Sequence, residues 1–157
     1  MDKKQIQEYT ARISQANRTE LTVIVFELAM THIDDAAGSV NDRALYTKNL
    51  KKAMTYVSEL SAALDFSQTI SYDLFQLYRY VKSLLAKAMA SGKIEGLEDA
   101  KRVLDGLRSA FEEVAKQDDS KPLMQNTQQL YAGLTYGKSS LNEVLVNDNE
   151  ANRGFKV

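Results

Sequence analysis

Side chains that could do acid–base, nucleophilic or metal chemistry are few in this sequence. There is no Cys and one His, His32, so thiol chemistry and any site that needs two imidazoles are excluded. The acid pairs Asp34–Asp35 and Glu112–Glu113 are sequence neighbours, so on a helix their carboxylates diverge instead of converging on a metal. The Glu-x-x-His spacing of a di-iron bundle also fails, because Ala29 lies three residues before His32. Since no phosphate loop, nucleophile elbow or zinc spacing occurs, we expect no enzyme, no cofactor and no metal.

His32 has one further chemical role to consider, that of a phosphorylated histidine on a signalling helical bundle. It lies in HIDDAAG, where two acids occupy the place in which a phosphoryl group needs a cation. The apolar period also puts His32 on an inward stripe. A structural histidine is therefore favoured, and a histidine phosphotransfer bundle is kept as an alternative.

The composition is that of one soluble domain. The chain has 157 residues, with 20 Lys and Arg against 21 Asp and Glu, so it lacks the basic excess of a nucleic-acid binder. No run approaches the roughly 18 apolar residues of a membrane span. The polar opening MDKKQIQEYT does not resemble a signal peptide. We expect a cytoplasmic protein that binds neither nucleic acid nor membrane.

Four helices must position these residues. The apolar period of 3.6 predicts them over residues 18–37, 42–64, 70–91 and 95–116. The only proline, Pro122, follows all four. Each helix has about 20 residues and is about 30 Å long, so an all-α, antiparallel four-helix bundle is the natural packing.

The first long helix has a clear start and too much apolar surface. Asn17 and Glu20 have the spacing of a capping box. The stripe taken as the core face consists of Leu21, Ile24, Val25, Leu28, Ala29 and Ala36. A second stripe, roughly opposite, consists of Val23, Phe26, Met30 and Ile33. Either the helix is central, under the N-terminal segment or the C-terminal tail, or the second stripe docks a partner helix.

Two other segments carry apolar residues outside the predicted core. Ile6, Tyr9 and Ile13 recur at the spacing of a short helix that covers a groove. On the third long helix, Tyr72, Phe75 and Tyr80 lie beside the core stripe, where tyrosine is typical of an interface.

The tail divides from the bundle near Pro122. We predict a bundle domain over 1–120 and an extension over 121–157, which carries one further helical face with Leu130, Leu134, Leu141 and Leu145. The extension either docks on its own bundle, swaps with a neighbouring chain or is flexible, so both a monomer and a homodimer are possible.

The order of several short motifs resembles one family. The motifs are EYTARI with Tyr9, ANRTEL with Glu20 and Leu21, ELSAALD with Leu64 and Asp65, LYRY with Leu77, Tyr78 and Tyr80, LLAKA with Leu85 and Ala88, and LRSAF with Leu107, Arg108, Ala110 and Phe111. Together they resemble the FliS family of flagellin-specific export chaperones. The chain departs from the family where VFEL replaces the usual Leu-Tyr-Asp-Gly in the first long helix.

The resemblance implies a cytoplasmic chaperone without enzymatic activity. Such proteins bind the unstructured C-terminal segment of flagellin, prevent premature polymerisation and deliver it to the flagellar export gate, with a flagellar assembly factor as a further partner. The family's N-terminal segment covers part of the groove until flagellin displaces it. We therefore expect the flagellin groove at Ile6, Tyr9, Ile13, Val23, Phe26, Met30, Ile33, Tyr72, Phe75 and Tyr80. A generic structural bundle is a second alternative.

Overall fold

Five α-helices make up the described part of the chain, which is residues 1–124 of the computed structural model. No strand occurs among these residues, so the all-α prediction is confirmed for them. The predicted extension over 121–157 lies outside the described residues except for its first four. The further helical face predicted there, with its docking or swapping, lies outside them as well.

The long helices lie where the apolar period predicts them. The bounds are α1 Lys3–Gln15, α2 Arg18–Gly38, α3 Arg43–Ala62, α4 Ile70–Ser91 and α5 Leu97–Gln117. Helices α2 to α5 correspond to the four predicted helices, and no boundary differs by more than two residues. Helix α1 is the short N-terminal helix expected from the spacing of Ile6, Tyr9 and Ile13.

Local contacts explain where the helices begin and end. The Asn17 side chain accepts the Glu20 backbone N–H at 2.9 Å, and the Glu20 carboxylate accepts the Asn17 backbone N–H at 2.9 Å. The predicted capping box is thus confirmed, and it satisfies two donors that a helix start leaves free. After α4, Gly92 takes a left-handed conformation with φ 72°, and a Cβ there would collide with the Arg43 guanidinium. The turn after α4 therefore depends on glycine.

Helices α2 to α5 pack in a ring around one apolar core. Helix α2 contacts α3 and α5, and α4 closes the ring by contacting the same two helices. Tyr46, near the start of α3, donates its hydroxyl to the carbonyl of Ala88, near the end of α4, at 3.0 Å. These two helices therefore run in opposite directions. The largest fully buried side chains are Tyr46, Tyr78, Phe26, Ile33, Leu50, Leu85, Leu97 and Leu104.

The residues after α5 fold back onto the junction between α1 and α2. The Asn17 side-chain amide donates to the carbonyls of Asp118 and Ser120 at 3.2 and 3.3 Å. The backbone N–H of Leu123 donates to the carbonyl of Ala16 at 3.1 Å. Because Asn17 and Ala16 are both buried, this junction is fixed by residues from the opposite end of the helical region.

The predicted core stripe of α2 divides between two clusters. Its members Ala29 and Ala36 lie in the main core as predicted, and Val25 packs against it. Phe26 and Ile33, predicted as a surplus surface, are fully buried in the main core. Ile24 and Leu28, predicted as core, form a separate buried cluster with Ala16. The reason is that α1 covers one side of α2 while α3 and α5 cover the other, so both stripes are buried. The interpretation of a central helix under the N-terminal segment is therefore the correct one.

Candidate functional site

An apolar floor lies beneath α1 on the surface of α2. Its buried residues are Ala16, Ile24 and Leu28, and Tyr9 and Ile13 of α1 pack over them. This floor is separate from the main core of the helical ring. The structure therefore places the N-terminal segment over an apolar groove, as the sequence predicted.

Few contacts hold α1 on its floor. None of its residues is buried, and Ile6 is 50% exposed. The Arg12 guanidinium donates to both carboxylate oxygens of Glu27 at 2.6 and 3.1 Å, which raises the pKa of Arg12. The Tyr9 hydroxyl lies 3.4 Å from the Thr31 hydroxyl. Just before α1, the N-terminal ammonium of Met1 donates to the Asp35 carboxylate at 2.6 Å. Since an isolated helix of this length is marginal in water, α1 depends on these contacts for its order.

Between α1, α2 and α3 lies an open space of ≈ 410 Å³, which we call the α1–α3 groove. Its apolar lining includes Ile6, Ile13, Leu28, Leu45 and Tyr56, and its polar lining includes Thr10, His32, Lys48, Asn49 and Lys52. The exposed lysines Lys48 and Lys52 stand on the α3 side of this groove. The groove thus joins an apolar floor to a positively charged rim.

His32 is buried at the base of this groove and is 4% exposed. Its ring stacks on Tyr56, with centroids 5.7 Å apart and planes at 9°. Its Nδ1 has no hydrogen-bond partner among the described residues and lies 3.9 Å from the Asp35 carboxylate. Burial lowers the pKa of His32, against the opposing effect of a hydrogen bond with Asn49. The position agrees with a structural histidine and not with an exposed phosphotransfer residue.

A second apolar surface, the α4 aromatic patch, consists of Phe66, Tyr72 and Phe75. The ring of Phe66 contacts the other two edge-on, with centroid distances of 5.3 Å to Tyr72 and 5.8 Å to Phe75. Tyr72 is 60% exposed and Phe66 is 44% exposed. Clustered aromatic side chains that face solvent are typical of an interaction surface.

The predicted partner-binding residues fall in three places. Ile6, Tyr9 and Ile13 lie on α1. Tyr72, Phe75 and Tyr80 lie on α4, with Tyr72 and Tyr80 exposed. Val23, Phe26 and Ile33 are buried, and Met30 is partly buried against the main core. The second stripe of α2 is therefore mostly buried, and of its four members only Met30 is partly exposed, where it lines an open groove with Tyr9.

Sequence reasoning missed the residues that form the floor and the rim. Ile24 and Leu28 were assigned to the core because their period is the same as that of core residues. Leu45, Lys48 and Lys52 were not considered, although their spacings of three and four put them on one face of α3. That spacing could have grouped them on one helical face, although it does not show that this face borders the groove.

The match to a known family covers all five helices. A family model described as flagellar protein FliS matches residues 1–118, which is most of the chain. The chain belongs to the FliS family. The resemblance inferred from the ordered motifs is therefore confirmed. FliS is a family of flagellar export chaperones and not of enzymes, which agrees with the expectation of no enzyme.

Three searches on this FliS-family chain, two of them limited to residues 1–124, found nothing. No curated protein matches the sequence closely enough to count as a relative. Within residues 1–124, no helix is long and apolar enough to cross a membrane. In the same part of the chain, no group of three or more acidic, His or Cys side chains could hold a metal ion.

Proposed function

We propose that this FliS-family chain is a cytoplasmic export chaperone for flagellin. It binds the C-terminal segment of flagellin, which is unstructured when free, prevents its premature polymerisation and delivers it to the flagellar export gate. A flagellar assembly factor is a further partner. The four long helices form the antiparallel bundle of this chaperone, within a domain of residues 1–120.

The observation that carries the proposal is an apolar floor covered by a helix that has no buried residue of its own. Ile24 and Leu28 are buried beneath α1. A ligand helix with larger apolar side chains could replace α1 and bury the same floor more completely. Because the ligand must fold as it binds, its ordering cost has to be offset by such burial.

The α4 aromatic patch supplies the additional surface that this exchange needs. Displacing α1 exposes the apolar side chains that it had covered. The net gain in buried apolar area is therefore only the area that the ligand helix covers minus the area that α1 had covered. Phe66 and Tyr72 are already exposed, so covering them adds apolar burial without displacing a helix of this chain. Since α2 and α4 lie on opposite sides of the ring, a long ligand must pass around the bundle to use both surfaces.

Titration calorimetry with the C-terminal segment of the host's flagellin tests the proposal. We expect equimolar binding with a large negative heat-capacity change, because binding buries apolar surface. Deleting residues 1–14 should increase affinity and the binding of an apolar dye. The substitution Tyr72→Ser should weaken binding, whereas Ile94→Ser, at an equally exposed site between α4 and α5, should not. No heat from either the full chain or a truncation at residue 120 would refute the assignment to flagellin.

A structural bundle without a flagellin ligand is the second candidate. The burial of Phe26 and Ile33 within the monomer favours it, because the second stripe of α2 then needs no partner. It leaves the α4 aromatic patch without a role. The absence of binding heat with the unaltered chain and with the truncation at residue 120 would favour this candidate. Equal, measurable affinities for Tyr72→Ser, Ile94→Ser and the unaltered chain would instead remove only the α4 aromatic patch from the flagellin site.

A further inference from the structure

The α1–α3 groove has a positively charged rim that α1 leaves unpaired. Lys48 and Lys52 lie one turn apart on α3, and neither forms an ion pair or hydrogen bond with a side chain of residues 1–124. On the opposite side of α1 the situation differs, because Arg12 makes a bidentate ion pair with Glu27. Helix α1 is thus matched in charge to Glu27 on α2 but not to the lysines on α3.

The sequence of α1 explains the unpaired side. The residues of α1 that line this groove are Ile6, Tyr9, Thr10 and Ile13, and none of them carries a carboxylate. The glutamate of α1, Glu8, lies 3.9 Å from Lys4 and does not line the groove. Helix α1 therefore has no acid to offer to the lysines of α3.

We propose that Lys48 and Lys52 select the ligand helix that replaces α1, and that this helix carries carboxylates one turn apart beside its apolar stripe. This inference rests on the proposed function, since it specifies the chemistry of the chaperone's ligand. A surface ion pair contributes little by itself. Each ion pair that a ligand makes with Lys48 or Lys52 is a gain over α1, because α1 makes none with either lysine. The pairs that leave with this segment, Arg12–Glu27 and the Met1 ammonium with Asp35, involve other residues of α2. On the α3 side of the groove, the rim therefore favours an acidic, amphipathic ligand helix over α1.

A first experiment tests the rim without any ligand. The substitution Thr10→Glu gives α1 a carboxylate that faces Lys48 and Lys52, and Thr10→Gln is its neutral control. Hydrogen exchange of the α1 amides at pH 8 should be about two- to fivefold slower for Thr10→Glu than for Thr10→Gln, as expected for one exposed ion pair. The difference should vanish when Lys48 and Lys52 are both changed to Gln. It should persist with Lys51→Gln, since Lys51 does not line this groove.

A second experiment uses the C-terminal segment of the host's flagellin. Its affinity should fall about fivefold or more when Lys48 and Lys52 are both changed to Gln, with a weaker salt dependence, and should be unchanged by Lys51→Gln. If the segment binds the double variant as tightly as the unaltered chain, the selection by the rim is wrong while the chaperone function stands. If the segment binds no variant at all, the proposed function fails, and the Thr10→Glu exchange data still test the rim.

Two other outcomes would overturn the inference. Equal exchange of the α1 amides in Thr10→Glu and Thr10→Gln would show that the lysines do not act on a helix in this groove. Exchange that slows as the concentration of the unaltered protein rises would show that a second copy of this chain, and not an acidic ligand, occupies the groove.

Discussion

Replacing Arg12 with methionine should loosen the docking of α1 without weakening the helical ring. Arg12 and Glu27 are 48% and 23% exposed, so their ion pair is partly screened by solvent. The pair is bidentate, and we expect it to stabilise the docked helix by about 0.5–1 kcal/mol. The guanidinium carbon of Arg12 also lies 5.5 Å from the Tyr9 ring centroid, so methionine removes this cation–π contact together with the ion pair while it keeps an apolar stem of similar length. The open population of α1 should therefore rise about two- to fivefold.

Hydrogen exchange read by mass spectrometry measures this opening directly. The α1 amides of Arg12→Met should exchange faster by that factor, while the melting temperature stays unchanged because α1 contributes nothing to the main core. The matched control is Arg102→Met, which removes an exposed ion pair with Asp99 within α5 and should leave α1 exchange unaltered. If Arg12→Met lowered the melting temperature without speeding α1 exchange, α1 would belong to the cooperative core and the detachable cover would be wrong.

Three further predictions concern the buried residues. Phe26→Ala should lower the free energy of unfolding, measured in urea, by about 3–5 kcal/mol, because Phe26 is fully buried. Ile6 is half exposed, so Ile6→Ala should lower it by less than about 0.5 kcal/mol. Equal losses would contradict the placement of Phe26 in the main core. Because burial lowers the pKa of His32 in the folded state, the unfolded chain binds the proton more readily, so stability should decline as the pH falls below 6.5. The substitution His32→Gln should make the free energy of unfolding less dependent on pH in this range. If the pH dependence were unchanged, groups other than His32 would cause the decline. Burial raises the pKa of Tyr78 to about 12, so Tyr78 contributes little to the tyrosinate absorbance change near pH 10. Tyr78→Phe should therefore leave that absorbance change unaltered. A smaller absorbance change in the variant would show that Tyr78 ionises near pH 10.

The cover and its groove could be predicted from the sequence in part. The spacing of Ile6, Tyr9 and Ile13 predicts a short amphipathic helix, and the excess of apolar residues on α2 predicts that something covers it. The rim lysines could not be assigned to the groove, because α1 and α3 are joined through α2 and their approach depends on how all three helices pack. The α4 aromatic patch was predicted at Tyr72 and Phe75 but not at Phe66, which lies in the turn before the helix and outside its period.

The sequence by itself determined the number of long helices, their bounds to within two residues and, through the order of its motifs, the family. The helix bounds depend on local interactions, such as the bonds between Asn17 and Glu20 and the left-handed conformation of Gly92. Only the tertiary structure decided which stripe of α2 faces the main core, since Phe26 and Leu28 are both apolar and the helical period does not distinguish their neighbours. Those neighbours come from distant parts of the chain, so the direction of each face follows from the packing that buries the most apolar surface.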